Sequence, residues 1–188
     1  MKVLIVGSSG FVGSNMNLQA PEIQFYGLDV CKPRNNPNNK YVHCEEVDFL
    51  SEESVAYIQN LKPAIIVLLA GIQFTTPIQK RKDREKAFSQ NIMIANQADA
   101  VLRLVPSVKK LIYVSTDMVY GIQNRILIDE QCEPLPIGEY GRSKLQAERI
   151  LQKHYSRVII LRPRLIVGPG RVGTIKLLAR FVHGNLPI

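Results

Sequence analysis

The chain has 188 residues, 46% of them hydrophobic, with 24 Lys and Arg against 16 Asp and Glu, three Cys and no Trp. That length is ample for one packed domain, and the apolar fraction excludes an intrinsically disordered chain. The longest apolar run, Ala64 to Ile72, falls well short of the roughly 20 residues that span a bilayer. The N-terminus has no charged region followed by a cleavage site, so the expectation is a soluble, untargeted protein.

Cys31, Cys44 and Cys132 are scattered and contain no C-x-x-C pair, which fits a reducing cytoplasm better than a disulfide framework. His43, His154 and His183 are equally dispersed, and no metal site is expected. The formal net charge of +8 raises the question of an anionic partner. The one basic run, Lys80-Arg81-Lys82-Asp83-Arg84-Glu85-Lys86, has acidic residues inside it and reads as a solvated loop and first helical turn. No nucleic-acid or membrane partner is expected.

In chain order the apolar pattern alternates between strand and helix. Lys2–Val6 is a short run of the buried parallel-strand kind, and similar runs follow at Gln24–Leu28, Tyr41–Val47, Ala64–Leu69, Lys110–Ser115 and Val158–Leu161. Helical patterns lie between them at Phe11–Leu18, Glu52–Leu61, Arg84–Leu104 and Glu139–His154, with a last one at Thr174–His183. Parallel strands need crossovers over a sheet face, so this alternation predicts a doubly wound α/β fold with helices on both faces. Arg34–Lys40 and Gln123–Gly138 are the two long polar connections.

The first strand runs into Gly7-Ser8-Ser9-Gly10-Phe11-Val12-Gly13, which opens the first helix. In such a turn the first glycine bends the chain, the second lets backbone approach a pyrophosphate, and the third lets helix pack on strand. The phosphates would lie at the positive end of the helix dipole. Asp29 ends the second strand, 22 residues on from Gly7. A carboxylate there accepts hydrogen bonds from the adenosine ribose and repels a 2′-phosphate, which favours NAD over NADP. Lys32 and Arg34 follow closely and pull the other way. Asp48, before a helix that Ser51 can cap, is either a strand-end residue or an adenine contact. Ala70-Gly71 puts small residues at the carboxyl edge of the sheet.

Tyr140-Gly141-Arg142-Ser143-Lys144 carries the chemistry. The i, i+4 spacing sets the phenol and the ammonium on one helix face. A phenol acting as base at neutral pH needs its pKa lowered by about three units, roughly 4 kcal/mol, which a neighbouring cation can help supply. Gly141, costly inside a helix, would be explained by close passage of the cofactor. A hydroxyl donor is at hand in Ser115-Thr116-Asp117, at the carboxyl end of the fifth strand.

These residues together resemble an extended short-chain dehydrogenase/reductase of the NAD-dependent epimerase/dehydratase group, most of which act on nucleotide sugars. The motifs also include Leu69-Ala70-Gly71, Asn91, Ser115 to Gly121, Arg162-Pro163 and Gly168-Pro169-Gly170, so the likeness covers essentially the whole chain. The resemblance implies a Rossmann domain over residues 1–188, with 164–188 leading towards a substrate domain largely absent from this sequence. It also implies Tyr140 as general base, Lys144 as its pKa modulator and ribose anchor, and Thr116 as the hydroxyl that orients substrate, with Ser115 as the alternative. The NAD-binding set it implies is Gly7, Ser9, Gly10, Phe11, Val12, Gly13, Asp29, Asp48, Phe49, Leu69, Ala70, Gly71, Asn91, Ser115, Tyr140, Lys144, Arg162 and Pro163. Asn91 is otherwise a helix-interior polar residue satisfied within its own helix.

Relatives that dehydrate the sugar resemble Thr-Asp-Glu where this chain has Thr116-Asp117-Met118. A thioether moves no proton, so epimerisation or reduction of a keto-sugar is favoured over dehydration, with Asp117 still available as a catalytic group. The alternative is a catalytically weak NAD(H)-binding sensor of the same fold. Ile92, Ile94, Ala98, Leu145 and Ile150 give the third and fourth helices more apolar surface than one sheet face needs, and relatives pair there as homodimers.

Overall fold

The computed structural model describes residues 1–33, 40–73, 81–124, 127–154 and 156–169. In chain order these form β1 (Lys2–Val6), α1 (Phe11–Asn15), β2 (Gln24–Asp29), β3 (Tyr41–Glu46), α2 (Glu52–Leu61), β4 (Ile65–Leu68), α3 (Arg81–Leu104), β5 (Lys110–Val114), α4 (Glu139–Leu151) and β6 (Val158–Leu161). The strands make one sheet in the order β3-β2-β1-β4-β5-β6, with every pairing parallel. The expected doubly wound α/β fold is therefore present. The expected helix at Thr174–His183, Gly170 and most of Arg34–Lys40 lie outside the described residues.

Register brings the chemistry to one edge. Val6 is level with Leu28 and Leu68, Leu68 with Tyr113, and Val114 with Leu161. The residues that follow these strand ends, Gly7, Asp29, Leu69, Ser115 and Arg162, therefore meet along the carboxyl edge. Strand order reverses between β1 and β4, and an open parallel sheet has its crevice at such a reversal.

Alternation along the strands sorts the two faces. Leu4, Val6, Ile66, Leu68, Leu111 and Tyr113 join α2, α3 and α4 in one core through Ile58, Ala95, Ala98, Leu102, Ala147 and Leu151. Each fully buried aliphatic side chain there contributes about 1.5–3 kcal/mol relative to exposure. On the other face Val12, Met16, Val67, Leu69, Val114 and Leu161 line an apolar hollow of about 470 Å³. Ile159 and Leu161 stay 43% and 48% exposed, because β6 is an edge strand among the described residues.

Two helices end where local chemistry stops them. Ser51 caps α2, its Oγ accepting from the Ser54 N–H at 3.2 Å, and Lys62 closes the helix in a left-handed conformation. Helix α1 ends at Asn15 rather than continuing to Leu18. The Asn15 amide donates to the carbonyls of Phe11 and Pro169, and this side-chain bonding competes with the helical ladder.

Part of the apolar surface read on α3 and α4 is covered within the chain. Ile94, Ala98 and Ile150 pack into the main core, and Leu145 joins Val119, Tyr120 and Cys132 in a second cluster. The two helices were read as though only the sheet covered them, whereas they also cover each other.

One close backbone approach lies beneath α1. A Cβ on Gly13 would sit 2.5 Å from the Gly7 carbonyl oxygen and 2.6 Å from Ser8 Cα, so the third glycine of the turn performs the expected packing role. Gly13→Ala should lower unfolding free energy by about 1–3 kcal/mol, read as an earlier urea midpoint. An unchanged midpoint would show that the turn has slack.

Candidate active site

The β1–α1 turn and the loop after β4 enclose a cavity of about 430 Å³ at the reversal of strand order. Gly7, Ser9, Gly10, Asp29, Asp48, Phe49, Leu69, Ala70 and Gly71 all line it. Gly7 is there because nothing larger fits: it has φ of +89°, and a Cβ would come within 2.6 Å of the Ala70 nitrogen. The Asp29 carboxylate accepts from the N–H groups of Ser9 at 2.9 Å and Val30 at 2.8 Å. One acid thus ties the glycine turn to the end of β2 while still facing the cavity. Lys32 pairs with Glu46 at 3.2 Å, which neutralises a cation that sequence reading had set against NAD. Asp48 accepts from the Leu50 N–H at 2.9 Å and lines the same cavity, so its strand-end role and its exposure to a ligand coexist.

Helix α4 brings the second half of the site to the end of β5. Lys144 is 3% exposed. Its ammonium donates to the Val114 carbonyl at 2.8 Å and lies 4.3 Å from the centre of the Tyr113 ring. Burial pushes the Lys144 pKa down to about 8, against an upward pull from the Glu148 carboxylate. Burial first, then the nearby Tyr140 and Glu148, push the Tyr113 phenol well above its ordinary value, so it stays protonated. Ser115 follows Val114 and is 4% exposed, its Oγ without a hydrogen-bond partner among the described residues. Thr116 caps a single turn of 3-10 helix at Asp117–Val119 by accepting from the Met118 N–H at 3.3 Å. Asp117 lies 3.4 Å from the Thr116 hydroxyl and 3.9 Å from Arg164.

Asn91 is not satisfied within its own helix. Its side-chain oxygen accepts from the Ile72 N–H at 2.8 Å, and its NH2 donates to the Ile72 carbonyl at 3.1 Å and to Ser143 Oγ at 3.0 Å. Ser143 in turn donates to the Tyr140 carbonyl at 2.8 Å. A buried amide on α3 thus holds the cavity-lining loop and the first turn of α4 at a set separation.

Gly141 has a different cause from the one expected. A Cβ there would meet the Met118 carbonyl oxygen at 2.6 Å, so the glycine lets α4 lie against the turn carrying Thr116; no cofactor is needed to explain it. Phe11 packs against Gly168, while Val12 and Pro163 line the hollow on the other sheet face. The Arg162 guanidinium is bonded to Glu148 and to the Tyr120 hydroxyl.

Sequence reading passed over Tyr113, Ser143 and Glu148. Only Glu148 carried a signal, its i+4 spacing from Lys144. The other two became visible once β5 and α3 were placed against α4. Among the described residues no disulfide joins the cysteines, no group of His, Cys, Asp and Glu could hold a metal ion, and no helix is long and apolar enough to cross a membrane.

Comparison with known proteins places this geometry in a family. A GDP-6-deoxy-D-talose 4-dehydrogenase from Aggregatibacter actinomycetemcomitans is 26% identical over 177 residues, covering 91% of this chain and 55% of that protein. The N-acetyl-alpha-D-glucosaminyl-diphospho-ditrans,octacis-undecaprenol 4-epimerase of Escherichia coli O157:H7 is 26% identical over 192 residues, 97% of this chain and 54% of its own length. The chain thus spans about half the length of these relatives. The UDP-glucuronic acid 4-epimerase of Bacillus cereus, solved in complex with NAD, superimposes with a TM-score of 0.77 at 23% identity, covering 97% of this chain and 64% of that one; at that identity the likeness concerns the fold. The family profile described as NAD dependent epimerase/dehydratase matches residues 3–185. This chain belongs to the NAD-dependent epimerase/dehydratase family.

Proposed function

We propose that this chain is the NAD-binding, base-bearing part of an enzyme that epimerises or oxidoreduces a nucleotide sugar. The observation that carries the reading is the placement of Lys144. Its buried ammonium is fastened to Val114 at the carboxyl end of β5, one helical turn from Tyr140 and directly before Ser115-Thr116.

The residues present fit NAD. The Gly7–Gly13 turn brings bare backbone to the cavity, Asp29 faces it with a carboxylate suited to ribose hydroxyls, and Asp48-Phe49 closes the adenine side. Leu69, Ala70 and Gly71 form the floor, and Asn91 holds that floor through Ile72. The orphaned Ser115 hydroxyl offers an unused polar contact at the strand end. When bound, NAD supplies a hydride acceptor and donor.

The chain's own groups do the rest. Tyr140 takes the proton from a sugar hydroxyl through its phenolate oxygen. Lys144 would stabilise that phenolate by its charge, and it is the residue that would hold a ribose hydroxyl of NAD. Thr116 donates to the sugar oxygen, which requires its hydroxyl to leave Asp117 while still capping the turn. Met118 is 47% exposed and its thioether can neither take nor give a proton, so the acid–base pair that elimination of water needs is left with Asp117 alone. Asp117 is the remaining acidic group beside Thr116, and it accounts for a second proton where epimerisation or reduction needs one.

Tyr140→Phe in the longest natural form of the chain should cut kcat by at least about 100-fold while leaving NAD affinity within a factor of about two. Steady-state rates with calorimetry check both arms. Unchanged biological activity with normal NAD affinity would instead favour a cofactor sensor, in which the phenol has no role.

Helices α3 and α4 also form the face proposed for a homodimer. A groove of about 520 Å³ runs along them, lined by Phe88, Leu135, Pro136, Leu145, Gln146 and Arg149, and Leu135 is 55% exposed. Light scattering at micromolar concentration should give twice the chain mass of 21.2 kDa. A monomer there removes the dimer from the account.

A further inference from the structure

Glu148 is fully buried on α4, one turn beyond Lys144 and two turns beyond Tyr140, so the three side chains share one helix face. Both carboxylate oxygens are engaged: Arg162 donates from Nε to Oε1 at 3.1 Å and from Nη2 to Oε2 at 2.6 Å. The remaining arm of the guanidinium, Nη1, donates to the Tyr120 hydroxyl at 2.7 Å, and the guanidinium carbon lies 4.8 Å from that ring's centre. Tyr120 ends the turn that carries Thr116, and the Asp117 N–H of that turn reaches the Pro163 carbonyl at 3.2 Å. One ion pair therefore joins the helix bearing Tyr140 and Lys144, the end of β6 and the Thr116 turn.

A buried carboxylate–guanidinium pair adds little stability over apolar side chains of the same volume, since both charges must leave water. Its placement fits an electrostatic task. The ring of Tyr113 from β5 and the carboxylate of Glu148 from its own helix act on Lys144, with Arg162 behind Glu148, and Tyr140 lies one turn earlier on the same helix face. On the side of the loop after β4, the space beside Gly71 is bounded by the Lys144 ammonium and the uncharged Asn91 side chain. Glu148 is the one carboxylate in that set. Without it, an ammonium held by one carbonyl and one ring would have no opposite charge within a helical turn.

We propose that Glu148 is a positioning residue for the Tyr140–Lys144 centre: locked in place by Arg162, its carboxylate keeps Lys144 charged inside the protein, while the same pair pins the turn bearing Thr116. This inference rests on the roles given to Tyr140, Lys144 and Thr116 under the proposed function. The opposed effects of burial and of Glu148 on Lys144 agree with it.

The test is a pH titration of the Lys144 Nζ resonance by NMR in the intact protein without cofactor. The expected midpoint is about 8 in the native chain. Glu148→Gln should lower it by at least about one pH unit, a tenfold loss of proton affinity, and Glu148→Asp, which keeps the charge, should leave it within about half a unit. A native midpoint below about 7, or equal midpoints in the native and Glu148→Gln proteins, overturns the proposal. If Glu148→Gln does not fold, the native and Glu148→Asp values decide, and an Asp variant whose midpoint falls by a full unit overturns it. A thermal melt accompanies each variant, because a purely structural role would move the melting temperature and leave the midpoint alone. The titration involves neither NAD nor sugar. Native midpoints as expected in a chain that binds no NAD would refute the proposed function and leave this inference standing.

Discussion

Backbone crowding where β1, α1 and the end of β4 meet is the constraint on which the rest depends. A methyl group at Gly7 would strike the Ala70 nitrogen, and one at Gly13 would strike Gly7 itself. Because neither position carries a side chain, the turn lies close enough to the sheet for the Ser9 N–H to reach Asp29. That single bond sets the acidic residue at the cavity wall. The parallel register then delivers the loops after β4, β5 and β6 to the same edge. The glycine turn and the Ser115–Thr116 strand end share one rim because the parallel strands end there together.

The other half of the site is an electrostatic problem. An ammonium buried as deeply as Lys144 loses water that its surroundings must replace. Here the replacements are a backbone carbonyl, the face of Tyr113 and a carboxylate one turn away. Burial lowers the affinity of the amine for its proton while the Glu148 carboxylate raises it. Structural bonds and chemistry are thus hard to separate in α4: Gly141, Ser143, Lys144 and Glu148 each fix the helix to a different neighbour, and two of them are charged.

Much of this was legible in the sequence. The strand β6 and the helix α2 appear with the bounds read from apolar period alone, since each is a short, uninterrupted pattern with clear stops. The glycine turn was legible because its spacing carries its geometry, and Asp29 because a strand end 22 residues after Gly7 falls at the neighbouring position on the same sheet edge. Where one element's need arises from another, the reading failed. Gly141 was assigned to a cofactor, yet it answers to the Met118 carbonyl, 23 residues away in sequence. Asn91 looked like a locally satisfied helix residue until Ile72 and Ser143 came within reach. Part of the apolar stripes of α3 and α4 likewise meets the neighbouring helix as well as the sheet.

The central claim, that the crevice between β1 and β4 takes NAD along its glycine turn, is tested most directly by amide NMR on the uniformly labelled chain titrated with NAD+ and, separately, NADP+. The account predicts saturable shifts at Gly7 to Gly13, Asp29, Asp48 to Leu50 and Leu69 to Ile72, with NADP+ requiring at least about tenfold higher concentration because Asp29 repels its 2′-phosphate. Shifts confined to other residues, or none at millimolar NAD+, would contradict it.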